Sequence, residues 1–290
     1  MYSRRHTPTR AWAMAAAVVM GAGVAFAAVT IGETKAGADQ TGSRNQSAPV
    51  DNAAKTSGQA APTPIAPPQN QVLPFNAKIF SSDIPVPGGG VRSGGCSASL
   101  IAPDWIITAG HCFHDINDVR ISGPPDHTIT VTVGKLKDSD PGGHSANVVD
   151  VRQSPMNDIA LAKLATPAEG ITPLTLNEAP PAIGTQLRFA GWGSRDANVK
   201  LPSDQLKQGQ FAVLKVKQAV LEADSVVPRT VDNSPCPVDS GAPYFTTTDD
   251  RTGVLVAVES TGPPCPQQGR ETISRVDVIA TWIQEQIGTT

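Results

Sequence analysis

His111, Asp158 and Ser240 are the side chains in this chain whose types and spacing suit nucleophilic catalysis. His111 lies in Thr108-Ala109-Gly110-His111-Cys112, directly after the strand-like Trp105-Ile106-Ile107. An imidazole titrates near neutrality, so it can take a proton and return it within one cycle. Asp158 stands in Asn157-Asp158-Ile159-Ala160-Leu161-Ala162-Lys163-Leu164. An acid at the mouth of an apolar strand needs a partner if it is buried, and a histidine ring N–H would be one. Ser240 lies in Cys236-Pro237-Val238-Asp239-Ser240-Gly241-Ala242-Pro243. A serine in a tight turn beside a small residue can present its hydroxyl to a neighbouring base. Alone, each segment also fits an ordinary structural histidine, a solvated strand-capping acid or a surface loop. Their order and the cysteines beside two of them favour the chemistry.

Those cysteines bear on positioning. Cys96 lies sixteen residues before Cys112, on the preceding strand, so a disulfide would pin the turn that carries His111. In the loop-entropy model such a closure contributes about 3 kcal/mol. Cys265 is the remaining partner for Cys236 among the four cysteines, and would tie the Ser240 loop to the loop after Ser260-Thr261-Gly262.

The elements that must hold these residues read as strands. With 26 Gly and 26 Pro in 290 residues, a large helical bundle or coiled coil is excluded. Short apolar runs recur between turn signals at Cys96–Ile101, Trp105–Thr108, Ile129–Val133, Ala146–Val151, Ile159–Leu164, Gln186–Ala190, Gln210–Val216 and Val254–Val258. This pattern predicts an antiparallel sandwich or barrel. One helix is predicted, over Val276–Ile287, where Val278, Ile279, Trp282, Ile283 and Ile287 share a face.

The front of the chain is different. Arg4, Arg5 and Arg10 precede 21 uncharged residues from Ala11 to Ile31, with Ala25-Phe26-Ala27 as a small-x-small cleavage pattern. Residues 1–27 are read as a signal peptide, the alternative being a retained signal anchor. Residues 28–74, rich in Pro, Ala and Gln, are read as a disordered linker, and 75–290 as the globular domain. The protein is therefore expected outside the cell, or on the outer face of its membrane if the segment is uncleaved. There, paired thiols are oxidised. A net charge of −3 gives no basic field for nucleic acid. The chain has no HExxH or clustered Cys/His set, so no metal is expected, and His114 and His144 read as loop residues.

TAGHC, NDIALAKL, the Gly-Trp-Gly of Gly191–Gly193 and CPVDSGAP, in that order, resemble the trypsin/chymotrypsin-like serine peptidase family. The resemblance runs from Ser93 to Trp282-Ile283, and the separations of 47 and 82 residues between His111, Asp158 and Ser240 agree with it. It implies an all-β fold of two antiparallel six-stranded β-barrels, a C-terminal helix and an active site between the barrels. Both disulfides, Cys96–Cys112 and Cys236–Cys265, fall where the family places them. Ser240 is implied as nucleophile, His111 as general base and acid, and Asp158 as the group that orients the imidazole. The backbone N–H groups of Val238 and Ser240 would form the oxyanion hole. Ser234 falls at the base of the substrate pocket, and Ser260 and Gly262 on the strand that holds the substrate backbone, with Thr261 in place of the usual tryptophan. Asp239 matches the acid that pairs with a newly made N-terminal amine in activated members. No cofactor is implied; the partner is a protein or peptide substrate, and the protein is expected to be a monomer.

Three departures qualify the resemblance. Val238 replaces glycine where the backbone must turn its N–H toward the oxyanion, a geometry that a β-branched residue resists. Losing that donor would cost about 10²–10³ in turnover. Ala242 replaces a second glycine, a milder change. The nearest counterpart of the family's new N-terminus is Ile79-Phe80-Ser81-Ser82 after Lys78, and the short stretch from Ile79 to Cys96 predicts a trimmed first strand. Two functions follow: a secreted serine endopeptidase working through an acyl-enzyme, or a catalytically silent domain that binds proteins in the cleft.

Overall fold

A computed structural model describes residues 67–288. The expected signal segment, and the expected linker as far as residue 66, lie outside the described residues. Alternation writes the strands directly: in Thr128-Ile129-Thr130-Val131-Thr132-Val133 the isoleucine and valines are buried and the threonines face outward. The first six strands are β1 (Asn76–Pro85), β2 (Val91–Ala102), β3 (Trp105–Thr108), β4 (Thr128–Val133), β5 (His144–Gln153) and β6 (Ala160–Leu164). They close into an antiparallel barrel in the order β1-β2-β3-β6-β5-β4. Closure leaves no free edge, and Ile79, Leu100, Ile106, Val131 and Ala162, which the strand register sets on one face, fill the interior.

A two-residue strand, β7 (Thr175–Leu176), leads to the second barrel. That barrel contains β8 (Gln186–Gly191), β9 (Lys207–Val216), β10 (Val220–Ser225), β11 (Pro243–Thr246), β12 (Val254–Thr261) and β13 (Glu271–Arg275). The order is β11-β8-β9-β10-β13-β12, closed by pairing of β11 with β12, while β7 runs parallel beside β12. Its core is aromatic: Phe189, Phe211 and Tyr244 meet with ring centroids 5.2 to 5.9 Å apart, the tilted and edge-to-face arrangements that ring quadrupoles favour. Phe75, just ahead of β1, packs edge-on against Phe245 of β11 at 5.0 Å and so joins the two barrels.

The all-β double barrel expected from the resemblance is the observed fold. The eight expected strands are all present, but β1, β7, β10, β11 and β13 were not legible. β13 carries Glu271 and Arg275, whose burial inverts the usual polar-outside pattern. The first strand is not trimmed: β1 has ten residues, pairs with both β2 and β4, and bulges between Ser81 and Ile84. His144 opens β5 and is not a loop residue. The C-terminal element is a 3-10 turn over Asp277–Ile279 followed by an α-helix, α1 (Ala280–Ile287), which starts later than expected. Within residues 67–74, which alternate between half-buried and exposed as far as Val72, Leu73 is fully buried and Gln69 is bonded to Gln208. Among the described residues no helix is long and apolar enough to cross a membrane.

Candidate active site

His111 sits in a 3-10 turn, Gly110–Cys112, immediately after β3. Two devices fix this turn. The Cys96–Cys112 disulfide ties it to β2, with Cα atoms 6.3 Å apart. The Gln153 amide nitrogen of β5 lies within hydrogen-bond reach of the carbonyls of Gly110 (3.0 Å), Phe113 (3.3 Å) and Ile121 (3.1 Å), which share its two N–H donors in a turn that secondary structure leaves open.

Asp158 occupies the turn before β6 and is held from the second barrel as well. The Asn157 amide beside it donates to the Arg275 carbonyl at 2.8 Å. Asp158 Oδ2 accepts from His111 Nδ1 at 2.7 Å and from the Ser260 hydroxyl of β12 at 2.6 Å. Its Oδ1 accepts the His111 backbone N–H at 2.9 Å and Arg120 Nη2 at 2.7 Å. Burial pushes the carboxyl upward, but the bonds from the His111 ring, Ser260 and the His111 N–H prevail and hold it at about 2. An ionised Asp158 requires the proton of a neutral His111 on Nδ1, which leaves Nε2 as the basic nitrogen.

The depressed carboxyl gives a pH dependence of fixed sign. Its stabilisation is full above the unfolded aspartate value of about 3.9, amounts to roughly 2 kcal/mol, and is lost as pH falls toward about 2. The expected result is that the melting-temperature advantage of wild type over Asp158→Asn at pH 5 disappears by about pH 2. A constant difference across that range would contradict the assignment.

Ser240 lies in the loop between β10 and β11, pressed against the first barrel. Its carbonyl accepts the Ser97 N–H of β2 at 2.9 Å. The Ser97 hydroxyl accepts the Trp192 N–H at 2.8 Å and donates to the Val238 carbonyl at 3.3 Å. Gly241, at φ +85°, permits the approach, because a Cβ there would overlap Thr108 Oγ1 and the Ser97 carbonyl. Ser240 is thus set beside the His111 turn, its carbonyl 3.9 Å from Cys112 Sγ. Ser240 Oγ has no hydrogen-bond partner among the described residues, the His111 ring included. The Cys236–Cys265 disulfide anchors the front of the loop.

Val238 takes φ +78°, the left-handed region, so the valine adopts the conformation it was expected to resist. Neither its N–H nor that of Ser240 has a partner among the described residues. Beside them opens a cavity of about 640 Å³ whose lining includes Ser240, Ser260, Gly262, Glu259 and Glu271. Ser234 is not part of that lining; it is fully buried, with its hydroxyl on Asn233 Oδ1 at 3.1 Å. Glu271 was missed by the sequence reading. Its Oε1 pairs with Arg229, its carboxyl packs on Gly262, and its Oε2 is buried without a partner. Burial pushes Glu271 up to about 7, against the pull of Arg229. Burial, reinforced by Glu271, raises Glu259 well above its usual range, and it accepts the Tyr244 hydroxyl at 2.7 Å. Among the described residues no group of His, Cys, Asp and Glu could hold a metal ion.

This geometry agrees with what the chain resembles. The trypsin family model matches residues 67–283. Serine protease 1 of Canis lupus familiaris is 28% identical over 218 residues, covering 66% of this chain and 80% of that protein. Putative trypsin-6 of Homo sapiens is 29% identical over 213 residues, covering 66% and 79%. Chymotrypsin-like elastase family member 3B of Macaca mulatta is 30% identical over 219 residues, covering 66% and 82%. With the family model spanning most of the sequence and both barrels in place, this chain belongs to the trypsin family of serine peptidases.

Proposed function

We propose that this protein is a secreted endopeptidase that cleaves peptide bonds through an acyl-enzyme on Ser240. The observation that carries the reading is the Ser260–Asp158–His111 relay beside an unbonded Ser240 hydroxyl. In this reading Ser240 Oγ attacks the scissile carbonyl while His111 Nε2 takes its proton. Asp158, ionised and held by four donors, stabilises the imidazolium. The free N–H groups of Val238 and Ser240 receive the developing oxyanion. His111 then protonates the leaving amine, and a water activated by the same nitrogen releases the acyl group. Export is supported by the basic start and uncharged run of residues 1–31.

The test is a serine-directed fluorophosphonate. Covalent labelling at Ser240, absent in Ser240→Ala, is expected; a folded wild-type domain that does not react would overturn the proposal in favour of a silent binding domain. The feature that favoured such a domain was Val238, and its φ of +78° weakens that case. Val238→Gly is accordingly expected to change kcat by less than about threefold, since valine already has the left-handed backbone that the reading asks of this position. It removes backbone strain of about 1–3 kcal/mol, partly offset by the greater freedom of glycine in the unfolded chain. A rise in kcat of tenfold or more would show that valine does not hold the productive geometry.

A further inference from the structure

Lys207, the first residue of β9, is fully buried, and so is Asp239, the residue before Ser240. Lys207 Nζ lies 2.6 Å from Asp239 Oδ2 and donates to the Ser194 and Val231 carbonyls, each at 3.2 Å. Three acceptors complete the capacity of an ammonium. Asp239 also accepts the N–H of Gly193 at 2.7 Å and of Cys236 at 2.8 Å. Gly191 and Gly193 make room for it, since a Cβ on either would overlap the carboxylate. Two desolvated charges persist inside a protein only when geometry satisfies both, and here both are satisfied. The clamp, with the Asp239 N–H donated to the Cys236 carbonyl at 3.0 Å, fixes the turn from Cys236 to Ser240, which carries the N–H groups of Val238 and Ser240.

In activated members of the family this acid answers to a newly made N-terminus. The candidate for one in this chain is unsuited to the task. Ile79 is 2% exposed in the middle of β1, paired with Cys96 on one side and Val131 on the other. The chain ahead of it is packed too, with Leu73 and Phe75 fully buried. Residues further upstream pass close to Lys207 without ending at Asp239: Gln69 donates to the Gln208 carbonyl at 2.6 Å and accepts the Gln208 N–H at 3.1 Å.

We infer that the Lys207 amine anchors Asp239 in the place of a cleaved N-terminus, so that the uncut chain already holds its Ser240 loop in working form. Lys207 is then a positioning residue, and the inference rests on Ser240 being the nucleophile. Nothing in this arrangement waits for a processing peptidase.

The full chain, treated with a fluorophosphonate probe and read by intact mass, tests this directly. The label is expected on a polypeptide whose N-terminus lies ahead of residue 67, with no gain in rate after limited proteolysis. Label confined to chains with a new N-terminus further in would overturn the inference and leave the Ser240 reading standing. No label on any form would overturn both. Lys207→Met is expected to slow labelling by about a hundredfold or more, the scale of a lost oxyanion donor; an unchanged rate refutes the role. In Lys207→Ala, added n-propylamine should restore at least tenfold of the lost rate and n-propanol should not. Failure of the amine in a folded variant would leave Lys207 a packing role only. If neither variant folds, the N-terminus of the labelled wild-type chain decides the question.

Discussion

Ser240→Ala and His111→Ala are each expected to lower kcat on a peptide substrate by about 10⁶-fold, and the double variant to be no worse than either alone, because in the proposed mechanism nucleophile and base act as one unit. Neither change should unfold the protein. Ser240 Oγ makes no bond that its removal would orphan. Without the His111 ring, Asp158 keeps Ser260, Arg120 and the His111 N–H as donors. Asp158→Asn should cost less, about 10⁴-fold, by offering the ring an N–H where it needs an acceptor. Steady-state hydrolysis with melting temperatures measured alongside is the check. Turnover within tenfold of wild type in a folded Ser240→Ala or His111→Ala variant would refute the assignment.

Glu271→Gln is the second change expected to have a large effect, on selectivity. Arg229 is bracketed by Glu271 and by Asp224, whose Oδ1 lies 2.9 Å from it, so one cation meets two acids and the wall is net negative when both are ionised. The unpartnered Glu271 Oε2 is costly to bury, and a substrate ammonium or guanidinium that reaches it would recover that cost. A charge-assisted hydrogen bond contributes about 1.5–3 kcal/mol, or roughly 10- to 100-fold in kcat/KM. Glu271→Gln should reduce kcat/KM by that factor for substrates with Lys or Arg before the scissile bond, and leave those with Ala or Phe nearly unchanged. The carboxyl is raised by burial to about 7, so it is neutral below that value and charged above it. Preference for cationic side chains should therefore increase as pH rises through about 7. A panel of fluorogenic peptides measured from pH 5 to 9 reads both effects; identical preferences in wild type and variant would remove Glu271 from substrate selection.

Candidate residues that sit in a distinctive local sequence were legible as candidates, and those that act through distant contacts were not. His111, Asp158 and Ser240 each carry their context with them: a strand end, an apolar run, a tight turn beside a cysteine. The residues that support them do not. Ser260 reaches Asp158 across 102 positions and Asn157 reaches Arg275 across 118, and no window of sequence spans such distances. Ser97, Gln153 and Arg120 are ordinary polar residues until the fold shows what they face. The same limit concealed Glu271 and Lys207, since a charged residue in a strand reads as solvent-facing whether or not it is. At Val238 the steric preference of the residue was read correctly, but the surrounding contacts override it.

The loop carrying Ser240 is covalently part of the second barrel, yet its carbonyls at Val238 and Ser240 are bonded by Ser97 of the first. Asp158 is the mirror case, a first-barrel acid bonded by Ser260 of the second. Each half therefore holds one end of the other's machinery, like two hands gripping one another's wrists. The proposed catalytic assembly has no address within either half of the gene product: its bonds exist only at their seam, and no excised fragment smaller than both barrels would carry them.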